Sequence, residues 1–171
     1  AIDFIRVDAD GATHKGSGEK NEDYFSWDTV LHAVTDGTVR RVVDRFDDAL
    51  PCKGVADPAA ANDLILDGDA GTVFYQLLKK GSARVKAGEK VKRGQELARV
   101  GNSGNGSFPH LHFAVLSRFE FEGKSLESSV PFAFDDFELS DLKLKSQGKL
   151  TRVGVRARDL VVAEGWIVSV K

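Results

Sequence analysis

The sequence predicts an all-β fold, a two-layer antiparallel β-sheet structure, and three observations support this prediction. Turn-forming residues recur about every eight to twelve positions between short runs rich in valine, leucine and isoleucine, a spacing typical of short strands. Helical periodicity is scarce along the chain. In the segment VKAGEKVKRGQELARVG, the glycines Gly88, Gly94 and Gly101 separate short apolar runs, as expected for strands that fold back repeatedly across two layers.

Strands can be assigned in order along the first part of the chain. AIDFIRVD begins at once as a strand, and because no initiator methionine precedes Ala1 we expect a processed or trimmed product. VLHAVTDGTVRRVVD predicts a hairpin with Asp36 and Gly37 at its tip. LILDGDAGTVFYQLL predicts a second hairpin around Gly68 and Gly71, and HLHFAVLS predicts a later strand.

The composition changes after Arg118. An aromatic and acidic segment, FEFEGKSLESSVPFAFDDFEL, is followed by a last predicted strand pair, GKLTRVGVRARDLVV and GWIVSVK. We therefore divide the chain into a main domain at 1–118 and a β-rich C-terminal extension at 119–171 that packs on the core.

Composition and charge limit the possible functions. The 171 residues suffice for a single core, with 42% hydrophobic and 29% charged residues as in ordinary globular proteins. No apolar run is long enough to cross a bilayer. The formal net charge of -2 lacks the basic excess that nucleic-acid binding needs, so nucleic acid is not an expected partner. The single cysteine, Cys52, cannot form an intrachain disulfide, and we interpret it as a bystander in a turn-rich stretch.

Two histidines stand two positions apart in the segment Pro109-His110-Leu111-His112-Phe113. In an extended strand both imidazoles point to the same face, about 6.6 Å apart, while Leu111 and Phe113 face the core. At that separation one ring can hold a metal ion while the other reaches a water molecule on it. Pro109 is tolerated at the start of a strand, and the preceding GNSGNGS run allows close backbone approach to a ligand.

The run GNSGNGSFPHLHF, preceded by GSARVKAGEKVKRGQELARV and further upstream by AVTDGTV, resembles the lysostaphin/LytM-type zinc metallopeptidases. These enzymes cut peptide cross-bridges in bacterial peptidoglycan. The resemblance implies a hybrid-motif fold with a groove over one sheet and a single catalytic zinc ion. It also implies that His112 is a zinc ligand and that His110 is catalytic, acting on the zinc-bound water or the transition state.

The aspartate ligand has two candidates. The opening AIDFIRVDADGATHKG looks like a subgroup in which the ligand lies in the first strand, which assigns Asp3 and places its partner histidine upstream of Ala1. The alternative takes His14 and Asp23 as the ligand pair, which keeps every ligand within the chain. We prefer Asp3, because His14 lies in a polar stretch where a histidine is usually only solvated.

The sequence departs from the family pattern at Leu77. Aligning FYQLLKKGS with the family's aromatic-x-His-Leu-x-x-Gly-Ser segment places Leu77 where a second catalytic histidine normally stands. Losing an acid/base or oxyanion partner costs about 10² to 10⁴ in rate. Asp63 also occupies a position where related sequences often carry histidine.

Three hypotheses of function follow. The first is a zinc endopeptidase acting on peptidoglycan cross-link peptides, with an atypical site. The second is a catalytically degenerate relative that serves as a cell-wall binding module or regulates another wall hydrolase. The third, a carrier or phosphotransfer domain, is weakened because a lipoyl-type carrier needs a modifiable lysine at a hairpin tip and the predicted tip is Asp36-Gly37. The first two imply an extracytoplasmic location, periplasmic, secreted or envelope-associated.

Overall fold

The computed structural model describes residues 1–8, 10–53, 57, 59–69, 71–134, 142–146, 149–153, 160–162 and 166–170. Within these residues the regular structure consists of strands and a single 3-10 turn, Asn21–Asp23. No helix in this part of the chain has the length and apolar character that a membrane span requires. The all-β prediction is confirmed.

The described strands are numbered in chain order. They are β1 (Ile2–Val7), β2 (Val30–His32), β3 (Gly37–Val43), β4 (Asp63–Gly68), β5 (Gly71–Gln76), β6 (Lys90–Val91), β7 (Glu96–Arg99), β8 (Leu111–Phe121), β9 (Lys124–Ser129), β10 (Phe132–Phe134), β11 (Leu142–Ser146), β12 (Lys149–Val153), β13 (Leu160–Val162) and β14 (Trp166–Val170).

One large sheet organises the molecule. Its strand order is β14-β1-β8-β5-β4-β3-β6, with β9 attached to β8. All neighbours in it are antiparallel except β1 and β14, which run parallel. A small antiparallel sheet of β2 and β7 forms a second layer. This two-layer arrangement is the predicted one.

The core lies between the inner face of the large sheet and the β2-β7 layer. Along β5 and the first half of β8 every second side chain is buried, as period-2 patterning requires, whereas the first four residues of β4 are all buried. Burial of each large apolar side chain contributes about 1.5–3 kcal/mol. The buried cluster comprises Leu31, Ala33, Val39, Leu64, Leu66, Val73, Tyr75, Leu78, Val85, Val91, Leu97, Ala98, Val100, Leu111, Phe113 and Val115.

The two predicted hairpins had different outcomes. The β4-β5 hairpin is confirmed, with Gly68 opposite Gly71. The prediction of a hairpin at Asp36 is wrong, because β2 does not pair with β3. Strand β2 pairs with β7, and β3 pairs with β4 and β6. The Asp36 carboxylate instead accepts hydrogen bonds from Arg93 N and Lys92 Nζ, which ties this turn to the segment after β6. The chain therefore crosses from one layer to the other where a tight turn was expected.

The C-terminal strands pair differently from the prediction. The expected last strand pair does not form within the described residues, since β12 pairs with β11, β13 with β10 and β14 with β1. Residues 135–141, in the aromatic and acidic segment, lie outside the described residues. Strand β8 runs without interruption through the expected boundary at 118. The division into 1–118 and 119–171 remains a prediction.

Candidate active site

A row of four polar side chains crosses the outer face of the large sheet. In the strand registers Asp3 lies opposite His112, His112 opposite Gln76, and Gln76 opposite Asp63. Directly opposed residues in antiparallel strands point to the same face, with Cβ atoms about 4.5–5.5 Å apart. We call Asp3, His112, Gln76 and Asp63 the polar row. It brings residues from β1, β8, β5 and β4 onto one surface.

Asp3 and both histidines of the His-x-His segment meet at one end of the polar row. His112 Nδ1 lies 2.7 Å from Asp3 Oδ1, and His110 Nε2 lies 3.7 Å from the same oxygen. His110 directly precedes β8 and is buried, whereas the His112 side chain is partly exposed. Leu111 and Phe113 are buried in the core, as predicted. The structure therefore brings together the three residues that we singled out from the sequence.

The hydrogen bond at the other nitrogen of His110 fixes its proton distribution. His110 Nδ1 lies 2.7 Å from the carbonyl oxygen of Phe108, which can only accept, so Nδ1 carries the proton in the neutral ring. Nε2 is then the unprotonated nitrogen, and it faces Asp3. An imidazole held in this way presents a proton acceptor to the site.

Asp3 and His112 have donor atoms suited to zinc, but they form only part of a ligand set. Two ligands on a tetrahedral zinc ion lie about 3.3 Å apart, slightly further than the 2.7 Å between Asp3 Oδ1 and His112 Nδ1. A small opening of this contact would fit an ion that replaces the shared proton. Across the described residues, no three His, Cys, Asp or Glu side chains are grouped closely enough to hold a metal ion. A complete site needs a further ligand.

The structure does not join the alternative ligands, His14 and Asp23, with His112 in a metal-binding group among the described residues. His14 is instead the first ring in a series of aromatic contacts that continues through Tyr24 and Phe108 to His110, with neighbouring ring centroids 5.1–5.5 Å apart. Its Nδ1 is buried and has no hydrogen-bond partner among the residues that the structure describes. The Asp23 carboxylate accepts a hydrogen bond from Lys20 N within its own loop.

Leu77 directly follows the polar-row residue Gln76 and has an unusual backbone conformation. Its φ angle is +65°, a left-handed value that is strained for a leucine, whereas histidine is among the residues more often found there. The side chain is buried, and its Cδ1 would lie 3.5 Å from a Cβ added at Gly106. This position beside Gly106 in the GNSGNGS segment therefore holds an apolar side chain.

A buried polar network positions the GNSGNGS segment ahead of the histidines. Ser103 Oγ and Asn62 Nδ2 both donate to the carbonyl oxygen of Leu78, at 2.8 and 3.1 Å. Asn102 N donates to Asp48 Oδ1 at 2.7 Å. Burial raises the pKa of the Asp48 carboxyl above its ordinary value, although the backbone N–H groups of Asn102 and Lys80, which donate to it, oppose the shift. The polar residues of this segment thus hold the loop in place.

At the far end of the polar row, Asp63 forms an ion pair that the sequence did not reveal. Asp63 is only 4% exposed, and its carboxylate accepts two hydrogen bonds from Arg41, from Nε at 2.9 Å and from Nη2. This carboxylate raises the pKa of the Arg41 guanidinium. Arg41 was missed because it belongs to no sequence motif, and Gln76 was missed because it occupies a variable position of the aligned FYQLLKKGS segment. The β3-β4-β5 registers would have been needed to place them beside Asp63.

Comparisons with known proteins gave similar solved structures and a matching family. Three solved structures give low overall similarity. A putative peptidase M23 from Pseudomonas aeruginosa is 23% identical with a TM-score of 0.40, and the match covers 54% of this chain and 35% of that one. A zinc-containing peptidase from Vibrio cholerae is 26% identical with a TM-score of 0.40, with 58% and 26% coverage. The catalytic domain of the antimicrobial peptidase lysostaphin from Staphylococcus simulans is 22% identical with a TM-score of 0.36, with 56% and 68% coverage.

The chain spans about a third or less of the length of the first two of these structures. The family comparison covers more of the chain, because the model of peptidase family M23 matches residues 25–126. This range includes both histidines of the His-x-His segment together with Leu77, Gln76 and Asp63. The chain belongs to peptidase family M23.

Proposed function

We propose that this protein is a zinc metalloendopeptidase domain that acts on the cross-link peptides of peptidoglycan. The observation that carries the proposal is the meeting of Asp3 with His112 and His110 on the outer sheet face of an M23-family chain. Peptidoglycan as the substrate follows from the motif resemblance. An extracytoplasmic location follows from the substrate.

Each of these residues has a distinct proposed role. Asp3 and His112 would hold the zinc ion, and a histidine upstream of Ala1 would complete the ligand set, as the motif resemblance implies. When bound, zinc would act as a Lewis acid that polarises the scissile carbonyl and makes a water molecule more acidic. His110 Nε2 would accept a proton from the attacking water, because its Nδ1–H is committed to Phe108 O.

A second candidate function is a degenerate family member that binds peptidoglycan or regulates another wall hydrolase. Leu77 favours it, because a leucine side chain can neither donate a proton nor stabilise an oxyanion. The outer sheet face would then serve only as a binding surface.

Metal content combined with two matched variants separates these functions. We expect a version extended by its native upstream residues to bind a single zinc ion per chain, measured by elemental mass spectrometry after dialysis against zinc. His112→Ala should lose the zinc. His110→Ala should keep the zinc but lower kcat for cross-linked wall peptides by about 10²- to 10⁴-fold.

The two variants control for each other, since both remove an imidazole from the same segment. If the extended protein stays free of metal in zinc-supplemented buffer, the peptidase function fails and the binding module is favoured. If zinc binds but His110→Ala cleaves as fast as the wild type, the role proposed for His110 fails.

A further inference from the structure

Two arginines on β3 occupy the same outer face as the polar row, but they use their donors differently. Arg40 directs Nε and Nη2 to Asp67, at 2.8 and 2.5 Å. Its Nη1 lies 3.4 Å from Glu127 Oε1, and its Nη2 also donates to Thr72 Oγ1. Each nitrogen of the Arg40 guanidinium therefore has an acceptor.

Arg41 has an unused edge. Its Nε and Nη2 contact Asp63, and no other described residue forms a hydrogen bond or ion pair with this guanidinium. A guanidinium has five N–H donors, so Nη1 and one hydrogen of Nη2 stay available. The Arg41 side chain is 52% exposed although its partner is buried. Asp63 thus holds the Arg41 guanidinium at the surface by its Nε–Nη2 edge and leaves the other donors exposed.

The position of this pair relates it to the candidate active site. Asp63 lies in the polar row two strands away from His112, which is about 10 Å at the usual strand spacing. Gln76 lies between them, and its side-chain amide has no hydrogen-bond partner among the described residues. An extended peptide covers about 10 Å in three residues. A peptide of this length, laid across the strands from His112, would cross the Gln76 amide and reach Asp63, whose carboxylate holds the guanidinium of Arg41 from the next strand, β3.

Burying the Asp63 carboxylate costs desolvation free energy unless a strong partner offsets it. A buried ion pair adds little net stability compared with apolar residues of similar volume, because both charges lose water. A fixed guanidinium fork, in contrast, matches the geometry of a carboxylate and loses little conformational freedom when it binds one. We therefore interpret the main effect of the Asp63 carboxylate as fixing the orientation of the Arg41 guanidinium.

We propose that Arg41, fixed by Asp63, binds a carboxylate of the peptide ligand about three residues from the bond at His110 and His112. The ligand class is a peptide with a free carboxylate, either at its C-terminus or on an acidic side chain. This inference rests on the proposed function for the peptide ligand, but it needs neither zinc nor catalysis. Arg41 is a specificity residue, not a catalytic one.

The test is peptide binding without metal. Three short alanine-based peptides would be titrated by NMR into the 15N-labelled protein in EDTA. One ends in a free carboxylate, one in an amide, and one carries a glutamate with an amidated end. We expect the wild type to prefer at least one carboxylate peptide over the neutral peptide by about tenfold, with a shift of the Arg41 Nε–H signal. The two acidic peptides distinguish the two carboxylate sources.

The double variant Arg41→Gln, Asp63→Asn removes both charges and leaves no lone buried carboxylate. It should lose the carboxylate preference, whereas Arg40→Gln, on the same strand and face, should keep it. If circular dichroism shows that the double variant does not fold, Arg41→Lys replaces it, and the carboxylate peptide should bind at least about threefold more weakly. Equal binding of all three peptides by the wild type, or an unchanged preference in the Arg41 variant, would overturn the proposal. Because EDTA is present, this result is independent of whether the protein binds zinc.

Discussion

The two faces of the large sheet are built from the same strands but serve different purposes. On the inner face, Leu64, Val73 and Phe113 are buried in one apolar core. On the outer face, the neighbouring positions Asp63 and His112 are polar and carry the candidate site. The comparison teaches that core residues and polar outer-face residues alternate along β5 and the first half of β8. Substitutions on the inner face should change folding, and substitutions on the outer face should change function.

The largest stability effect is expected at Leu64, a fully buried residue of β4. Leu64→Ala should lower the free energy of unfolding by about 2–5 kcal/mol, because it removes apolar contacts and leaves a cavity. Urea denaturation followed by circular dichroism measures this change. Gln76→Ala on the outer face of β5 is the matched control and should change stability by about 0.5 kcal/mol or less. Equal losses in both variants would contradict the division between the faces.

Leu77→His tests whether the outer face is otherwise competent for catalysis. Histidine suits a positive φ better than leucine and would supply the missing imidazole. We expect cleavage of wall peptides by the zinc-loaded protein to rise by about 10- to 100-fold, equivalent to about 1.4–2.7 kcal/mol in the barrier. Leu77→Asn is the control, since asparagine also tolerates this φ but has no imidazole. A zinc-loaded Leu77→His protein with unchanged activity would show that the alignment at this position is wrong.

Tyr75 lies on the inner face and carries a polar group. Its hydroxyl accepts from Val34 N at 3.0 Å and donates to His32 O at 3.3 Å, and burial raises its pKa to about 12. Tyr75→Phe should cost about 1–2 kcal/mol near pH 7 while keeping the ring contact with Phe113. A raised phenol pKa means that this contribution is complete below the unfolded pKa of about 10 and is lost as pH rises through about 12. Unfolding curves at pH 7 and 11 check this, and an unchanged difference at pH 11 would count against it.

The smallest effect is expected for Asp67, an outer-face carboxylate. Its hydrogen bond with Arg40 lowers its pKa, so its contribution is present above the unfolded pKa of about 4 and is lost as pH falls through the folded pKa. Because the pair is partly exposed, Asp67→Asn should cost less than about 1 kcal/mol at pH 7. The difference from the wild type should shrink below about pH 4 in thermal unfolding scans. A loss as large as that of Leu64→Ala would show that the outer face also carries the fold.

The inner face was the part of the fold most accessible from sequence. Alternation in HLHFAVLS predicted which residues of β8 enter the core, and the turn glycines predicted the β4-β5 hairpin. The hairpin prediction at Asp36 was wrong because an Asp-Gly pair has the same local chemistry in a hairpin turn as in a connection between two layers. Its bonds to Lys92 and Arg93 come from a distant segment. Non-local pairing cannot be derived from local patterns alone.

The candidate site divides in the same way. The His-x-His segment was recognisable because both histidines lie two positions apart in one predicted strand, and the family motif led to Asp3. Arg41 and Gln76 have no such spacing and enter the site only through the registers of β3, β4, β5 and β8. Sequence patterns therefore found the chemical groups at one end of the polar row but not the groups that extend it.

The pairing of β1 also constrains when the site can form during synthesis. Asp3 meets His112 across 109 positions of sequence, so an emerging chain must hold β1 unpaired until β8 has left the ribosome. The other edge of β1 stays unpaired until β14 (Trp166–Val170) has been synthesised. Contacts of such long range slow folding, and they leave a strand edge exposed to other chains in the meantime. A site that needs both Asp3 and His112 therefore forms only after residue 112 has left the ribosome.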